Sequence, residues 1–384
     1  MKRIEYILKH NLVIQKIYKI VFSCLFNVIT IFVPIKKNRI LFSSFSGKKY
    51  NDSPKVIFDA LCKEHSTLDF ECYWAFENPK DFANFGLKTV KINSPKYFYI
   101  AFSSKYWITN VNIERGLSFK KKNQFYLNTW HGTGPKTAGN AALGRKDYNF
   151  KKVNCLCADG EYLKKIFVRD FLAKEENILL CGRPRDDVLY SKNINIESIR
   201  KKYGIDSKCF VILYAPTWRE PNSKTLNSEF SISLDLEKIV QTFNDVCILF
   251  RAHSATQSVN NLSLSSRIID ATEVADISDL YFVSDLLITD FSSAAIDFSI
   301  LHKPFLCYAP DYDTYTQSRS LYFDLKKEYP FGVQTSTEEV IECIKKVMAN
   351  DYSELFKKFH YKYSPFGGNA TNTCVEAMLA FQND

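Results

Sequence analysis

From Arg39 onward, short runs of consecutive apolar residues alternate with stretches whose apolar residues recur every three or four positions. The runs predict strands at Arg39–Ser43, Phe70–Ala75, Lys88–Ile92, Tyr106–Thr109, Gln124–Asn128, Val153–Ala158 and Asn177–Cys181. A second series falls at Phe210–Ala215, Val246–Phe250, Arg267–Asp270, Leu286–Thr289 and Pro304–Tyr308. Many are apolar throughout, as strands covered on both faces should be. Helical periodicity intervenes at Pro54–Lys63, Leu163–Leu172, Leu236–Asn244 and Thr337–Ala349. Strands alternating with helices predict parallel sheets in a doubly wound α/β architecture. The polar stretch Tyr190–Lys208 separates the two series and places a domain boundary there, between residues 38–190 and 191–366. After Gly367-Gly368, a final segment (367–384) reads as one more helix over Asn369–Gln382.

The first 37 residues follow a different pattern. An apolar run of sixteen residues, Ile20–Ile35, lies between Lys19 and Lys36. A spanning helix needs roughly 20. Lys9, Lys16, Lys19, Ser23, Asn27, Thr30 and Pro34 step by three, four or seven, which lines one stripe of a helix and leaves a broad apolar remainder. An amphipathic helix lying in a membrane plane, its lysines toward anionic headgroups, fits this spacing better than a span. A helix docked on the protein is the other open reading. No small-residue cleavage site follows, which argues against a signal peptide.

The 384-residue length exceeds what one core usually serves, in keeping with two domains. With 46% hydrophobic and 24% charged residues, the composition excludes a disordered or fibrous chain. The net charge of +9 is concentrated at the start, where eight basic residues up to Arg39 face Glu5 alone. The remainder is close to neutral, so a nucleic-acid partner is not expected. The 11 cysteines form no CxxC pair and sit mostly in apolar runs, reading as buried reduced thiols rather than a disulfide framework or zinc site.

In open parallel sheets, ligands bind beyond the carboxyl ends of the strands. Polar and reactive residues cluster there. After the strand ending at Asn128 comes Thr129-Trp130-His131-Gly132-Thr133-Gly134-Pro135-Lys136, where glycines let a backbone approach a ligand and His131 can act as a base near neutral pH. After Ala215 comes Pro216-Thr217-Trp218-Arg219, and after Phe250 comes Arg251-Ala252-His253, whose cation and imidazole can share one anion. After Thr289 comes Asp290-Phe291-Ser292-Ser293 leading into an apolar helix, so hydroxyls and free N–H groups can cradle a phosphate. Clusters on both sides of the boundary imply a shared cleft suited to an anionic diphosphate. Asp311-Tyr312-Asp313 has no histidine near it and reads as a loop, Asp186-Asp187 as a helix start, and Lys120-Lys121-Lys122 as a solvated turn. No Walker loop, GxGxxG or HExxH occurs.

At these clusters the chain resembles the CDP-glycerol glycerophosphotransferase family of teichoic-acid and capsule polymerases. The likeness runs over about residues 38–330: Asn38-Arg39-Ile40-Leu41-Phe42-Ser43-Ser44-Phe45-Ser46-Gly47, the His131-Gly132-Thr133 loop, Gly182-Arg183-Pro184-Arg185-Asp186, Tyr214-Ala215-Pro216-Thr217-Trp218-Arg219, Arg251-Ala252-His253, and Ser284 to Ser293. Two departures stand out. Gly134-Pro135-Lys136 follows Thr133 where the family more often has Pro-Leu-Lys, and Ser254 replaces the usual proline.

The resemblance implies a GT-B fold, two Rossmann-like domains facing across a cleft with the nucleotide held mainly by the second. It implies transfer of glycerol phosphate from CDP-glycerol to a polymeric or lipid-linked hydroxyl by a peripheral protein on the cytoplasmic face of the cell membrane. The cationic and hydroxyl groups can take a metal's role, so no metal cofactor is expected. In this likeness His131 would be the base and His253 would contact the donor phosphate. Thr289, Ser292 and Ser293 would bind the diphosphate, with Arg219 and Arg251 nearby. Gly132, Thr133, Thr217, Asp290 and Asp297 complete the expected substrate-binding set. CDP-ribitol, or a sugar nucleotide used by a GT-B glycosyltransferase, is the alternative donor.

Overall fold

A computed structural model describes residues 12–64, 68–114, 116–217, 229–231, 233–252, 258–260 and 265–381. Among these, the apolar runs form two parallel sheets. The first contains β1 (Lys36–Ser43), β2 (Glu71–Phe76), β3 (Thr89–Lys91), β4 (Ser104–Thr109), β5 (Phe125–Asn128), β6 (Cys155–Ala158) and β7 (Ile178–Leu180), in the order β3-β2-β1-β4-β5-β6-β7. The second domain contains β8 (Phe210–Tyr214), β10 (Val246–Phe250), β12 (Ile268–Asp270), β13 (Leu286–Thr289) and β14 (Phe305–Cys307), together with β9 (Glu229–Ser231) and β11 (Ser258–Asn260), which the apolar runs did not predict. Its main sheet runs β12-β10-β8-β13-β14, and β9 pairs with β11 alone. In both sheets the order reverses beside the first strand, which opens a crevice at the carboxyl ends.

The strands are apolar throughout because both faces are covered. Leu41, Trp107 and Tyr126 pack on one face of the first sheet, while Ile40, Phe42, Trp74 and Ile108 pack on the other. Period-two alternation thus feeds two cores rather than one core and solvent. The second sheet repeats the arrangement, with Val211 and Leu213 on one side and Ile212 and Tyr214 on the other. The polar divider between the series holds a short helix, Ile196–Lys202, whose Arg200 donates to the carbonyls of Asp206, Ser207 and Cys209.

The last helix, Ala370–Ala380, crosses back to the first domain. Cys374, Val375 and Met378 are buried in the core beneath β1 and β5, and the Phe381 ring lies 5.2 Å from that of Phe125. Its first turn is held by a residue far away in sequence: the Asp187 carboxylate accepts from the Ala370 N–H at 2.9 Å, the Thr371 N–H at 2.7 Å and the Thr371 hydroxyl at 2.6 Å. Asp187 therefore caps a helix of another segment. Among the cysteines one pair departs from the reduced-thiol reading, since Cys209, directly before β8, is joined to Cys247 of β10 in a disulfide.

The N-terminal helix, Leu12–Ile31, carries the polar stripe, but the stripe faces the protein. Lys19 pairs with Asp147 at 3.2 Å, the Ser23 hydroxyl accepts from the Ser118 N–H at 3.0 Å, and Asn27 donates to the Ser118 carbonyl at 2.7 Å. Phe26 packs on Phe98, Phe102 and Phe119. The expectation that the stripe points outward is therefore corrected for Lys19, Ser23, Asn27 and the buried Thr30; Lys16 and Pro34 remain exposed, and Lys9 lies outside the described residues. Polar groups on this side find hydrogen-bond partners on the first domain, so the apolar side is left uncovered: Ile17, Ile20, Val21 and Val28 are exposed, as are Ile31 and Phe32 at 76% and 81%. Among the described residues no helix is long and apolar enough to cross a membrane.

Replacing Asp187 by Ala removes all three bonds to the helix start and should destabilise the protein by about 1–2 kcal/mol, the usual worth of a strong cap. Thermal or urea unfolding measures it, and an unchanged midpoint would show that the cap is dispensable.

Candidate active site

Three strand ends of the first domain converge on His131. Beyond β5, the Asn128 side chain accepts from the Trp130 N–H at 2.9 Å and donates to the Val111 carbonyl at 2.7 Å. This clamp holds Trp130 at φ 54°, a left-handed conformation costly for a bulky residue, and so aims the next residue, His131, into the crevice. The His131 Nδ1 lies 2.8 Å from the Asn110 carbonyl, beyond β4. A carbonyl only accepts, so Nδ1 carries the proton and Nε2 is left as the basic nitrogen. Beyond β1, the Phe45 N–H donates to the Asn110 side chain at 2.8 Å, and the Phe45 ring lies 5.9 Å from the imidazole. Burial lowers the His131 pKa below the usual 6.5, and the Asn110 carbonyl opposes that only in part. The ring is thus neutral, as a general base must be.

The second domain supplies the opposite wall. Ser292 and Ser293 follow β13, and Thr217 follows β8. With His131, Gly132, Lys136 and Arg319 they line a cleft of about 450 Å³ between the domains. The walls nearly touch at the floor. A Cβ on Gly132, whose φ is +156°, would stand 2.6 Å from the Ser293 hydroxyl oxygen. Glycine is required there because a second-domain side chain fills the space. Past that point the loop pairs with the second domain: Tyr322 N–H donates to the Pro135 carbonyl at 2.7 Å and Thr137 N–H to the Ser320 carbonyl at 3.0 Å.

Behind the cleft lies a buried lattice of charges. Arg183, with no exposed surface, bonds Asp297 at 2.5 Å, Asp186 at 2.7 Å and Asp159 at 3.2 Å. Arg185 bonds Asp297 and Asp52, each at 2.7 Å, and also donates to the carbonyl of His131 at 3.1 Å. Asp297 comes from the helix Ala294–Ser299, which begins directly after Ser293, so one carboxylate joins the serine wall to the loop that carries the base. Burial pushes the Asp297 carboxyl up to about 6 despite both guanidiniums, with Asp186 and Asp159 adding repulsion. Burial also raises Asp52, but the Arg185 charge together with hydrogen bonds from Arg185, Ser53 and Asn110 outweighs it and leaves that carboxyl below the usual range.

The family described as CDP-Glycerol:Poly(glycerophosphate) glycerophosphotransferase matches residues 25–379. The chain belongs to that family. It is 30% identical to the teichoic acid poly(glycerol phosphate) polymerase of Bacillus spizizenii, over 97% of this chain and 98% of that protein, and spans 49% of the longer Bacillus subtilis protein of the same name. It is 33% identical to the teichoic acid glycerol-phosphate transferase of Staphylococcus aureus, over 85% of this chain and 89% of that one. Ribitol-phosphate polymerases match at lower identity. Among solved structures, the wall teichoic acid polymerase TagF, a histidine variant soaked with CDPG, superposes with a TM-score of 0.79 at 28% identity over 97% of both chains.

Within this family frame, the residues singled out by sequence divide into two groups. His131, Gly132, Thr217, Ser292 and Ser293 line the cleft together. Thr133, Thr289, Asp290, Arg251 and Asp297 do not line it, because their polar atoms hold the protein instead. The Thr133 hydroxyl donates to Asp159 at 2.7 Å, and the Thr289 hydroxyl to the Ala215 carbonyl at 2.7 Å. Asp290 accepts from the Thr217 N–H at 3.0 Å, which fixes the loop after β8 against that after β13. Arg251 donates to the Val274 carbonyl at 2.6 Å. Arg219 and His253 lie outside the described residues. Sequence reasoning missed the structural role of Arg183 and Arg185, which stand in a family motif beside Asp186-Asp187. It also missed Arg145 and Arg319 in the cleft, for which no local signal exists.

Arg183→Met would leave Asp159, Asp186 and Asp297 buried, with Arg185 still bonded to Asp186 and Asp297. The expected cost is about 3–5 kcal/mol in urea unfolding near neutral pH. Carboxyls so stranded have raised folded pKa values, which favour folding below those values and lose that contribution as pH rises. The deficit should therefore shrink toward about pH 5. An equal deficit at both pH values would mean that charge is not what the lattice supplies.

Proposed function

We propose that this chain transfers glycerol phosphate from CDP-glycerol to a hydroxyl of a poly(glycerol phosphate) or lipid-linked acceptor, in teichoic-acid or capsule-type polymer synthesis, releasing CMP. Family membership gives the reaction class. The observation that carries the reading is a neutral, oriented His131 lining one cleft with Ser292 and Ser293, where the neighbouring Gly132 abuts the Ser293 hydroxyl. His131 Nε2 takes the proton of the acceptor hydroxyl, whose oxygen attacks the phosphorus bearing glycerol. The bond from that phosphorus to the bridging oxygen breaks, and CMP departs with the electron pair.

Ser292, Ser293 and Thr217 donate hydrogen bonds to the diphosphate, and Lys136 and Arg319 balance its charge. His253 takes the donor phosphate in the role that the family likeness gives it. Because these groups supply what a divalent ion otherwise would, catalysis is proposed to need no metal. The exposed apolar side of the Leu12–Ile31 helix supports peripheral attachment to the cytoplasmic membrane face, with Ile17, Ile20 and Val28 entering the acyl boundary and Lys36 and Lys37 at the anionic headgroups.

His131→Ala should lower kcat for CMP release on the order of a thousandfold, the span of a lost general base, with the fold intact. In the unaltered protein the acidic limb of the rate profile should lie below the ordinary histidine value, because burial holds the imidazole neutral. Turnover that is normal in the variant, or faster on CDP-ribitol than on CDP-glycerol, would overturn the base or the donor respectively.

Changing Ile20, Val28 and Phe32 to Ser should abolish sedimentation with vesicles containing anionic phosphatidylglycerol while leaving turnover on a soluble acceptor intact. Sedimentation that persists would locate the membrane contact elsewhere.

A further inference from the structure

Three cysteines remote in sequence meet on the face of the first sheet that the last helix covers. Cys157 belongs to β6, Cys181 directly follows β7, and Cys374 lies on the helix Ala370–Ala380 that returns from the second domain. Their sulfurs all lie within 4.8 Å of one another, and those of Cys157 and Cys374 are 3.3 Å apart. Cys157 and Cys374 are fully buried, whereas Cys181 keeps part of its surface in solvent. A thiol is a weak donor and a weak acceptor, so three of them gain little from one another in an apolar core. A d10 ion would gain much. Sulfurs bound at about 2.3 Å to a tetrahedral zinc stand about 3.8 Å apart, within the spread seen here.

We propose that Cys157, Cys181 and Cys374 form a structural zinc site, with solvent in the fourth position on the Cys181 side. Three S–H bonds break and three Zn–S bonds form; the protons go to solvent and nothing is oxidised. The geometry is closed by the C-terminal helix, so the ion would tie that helix to β6 and to the end of β7. No cysteine of the trio lines the cleft. The site therefore goes beyond the proposed reaction and is independent of it.

The test uses the full chain, reduced and freed of metal. Titration with zinc should reach about one equivalent per chain and raise the melting temperature, and cobalt should give sulfur-to-metal charge-transfer absorption. Cys157→Ala, Cys181→Ala and Cys374→Ala should each lose these signals. Cys155→Ala should keep them, because Cys155 lies two residues from Cys157 on the same strand face but outside the trio. A chelator should lower the melting temperature yet leave the initial rate of CMP release unchanged, which separates this site from the reaction. The proposal is overturned if the metal-free chain takes up neither ion. It is overturned equally if uptake survives in all three variants, or if Cys157 and Cys374 are found joined as a disulfide in protein isolated under reducing conditions. Should Cys374→Ala fail to fold, Cys181→Ala at the partly exposed edge decides.

Discussion

Two guanidiniums between the domains, Arg183 fully buried and Arg185 largely covered, set the geometry of everything in front of them. Arg183 and Arg185 lie in the first domain, yet both bond Asp297, which the second domain inserts from the helix behind the paired serines. A buried charge is costly unless its partners are in place, so the domains cannot separate or slide without stranding carboxylates in a dry interior. Arg185 also donates to the carbonyl of His131. The position of the base is thereby tied to the same contact that fixes the serine wall. Each carboxylate of the lattice comes from a different segment: Asp52, Asp159, Asp186 and Asp297. One cluster therefore registers the loops beyond several strands.

In front of the lattice the two walls have complementary chemistry. The first domain contributes an oriented imidazole whose burial suits it to accept a proton; the second contributes hydroxyls that suit phosphate oxygens. Their separation at the floor is set by Gly132, which gives room to Ser293. Catalysis by positioning makes such spacing matter more than the strength of any single contact. The rigid crossover of the C-terminal helix, capped by Asp187, serves the same end, since it fastens the second domain's last segment into the first domain's core.

How far the chain could be read from its residues alone follows from what each signal depends on. Strands were legible because both faces are covered, so runs such as Val246–Phe250 and Leu286–Thr289 are apolar throughout. The cleft was legible at His131, Gly132, Thr217, Ser292 and Ser293 because parallel strands place their carboxyl-end loops on one side. At Thr133, Thr289, Asp290, Arg251 and Asp297 the same rule found the neighbourhood, while their polar atoms bond to the protein. Each has a side chain as suited to a ligand as to a buried partner, and the partner lies on another segment. The stripe of Lys19, Ser23 and Asn27 shows the same limit, since a two-faced helix does not say which face meets protein.

Periodicity and residue type act within a few positions along the chain. On their own they determined that the protein has two doubly wound parallel sheets, a polar divider, and loops rich in imidazole, hydroxyl and guanidinium. Which of those groups would face the cleft was decided only when distant segments met, because a hydrogen bond or ion pair is satisfied by proximity in space. The orientation of the N-terminal helix, the capture of the last helix by Asp187, and the gathering of Cys157, Cys181 and Cys374 belong to that second kind of fact.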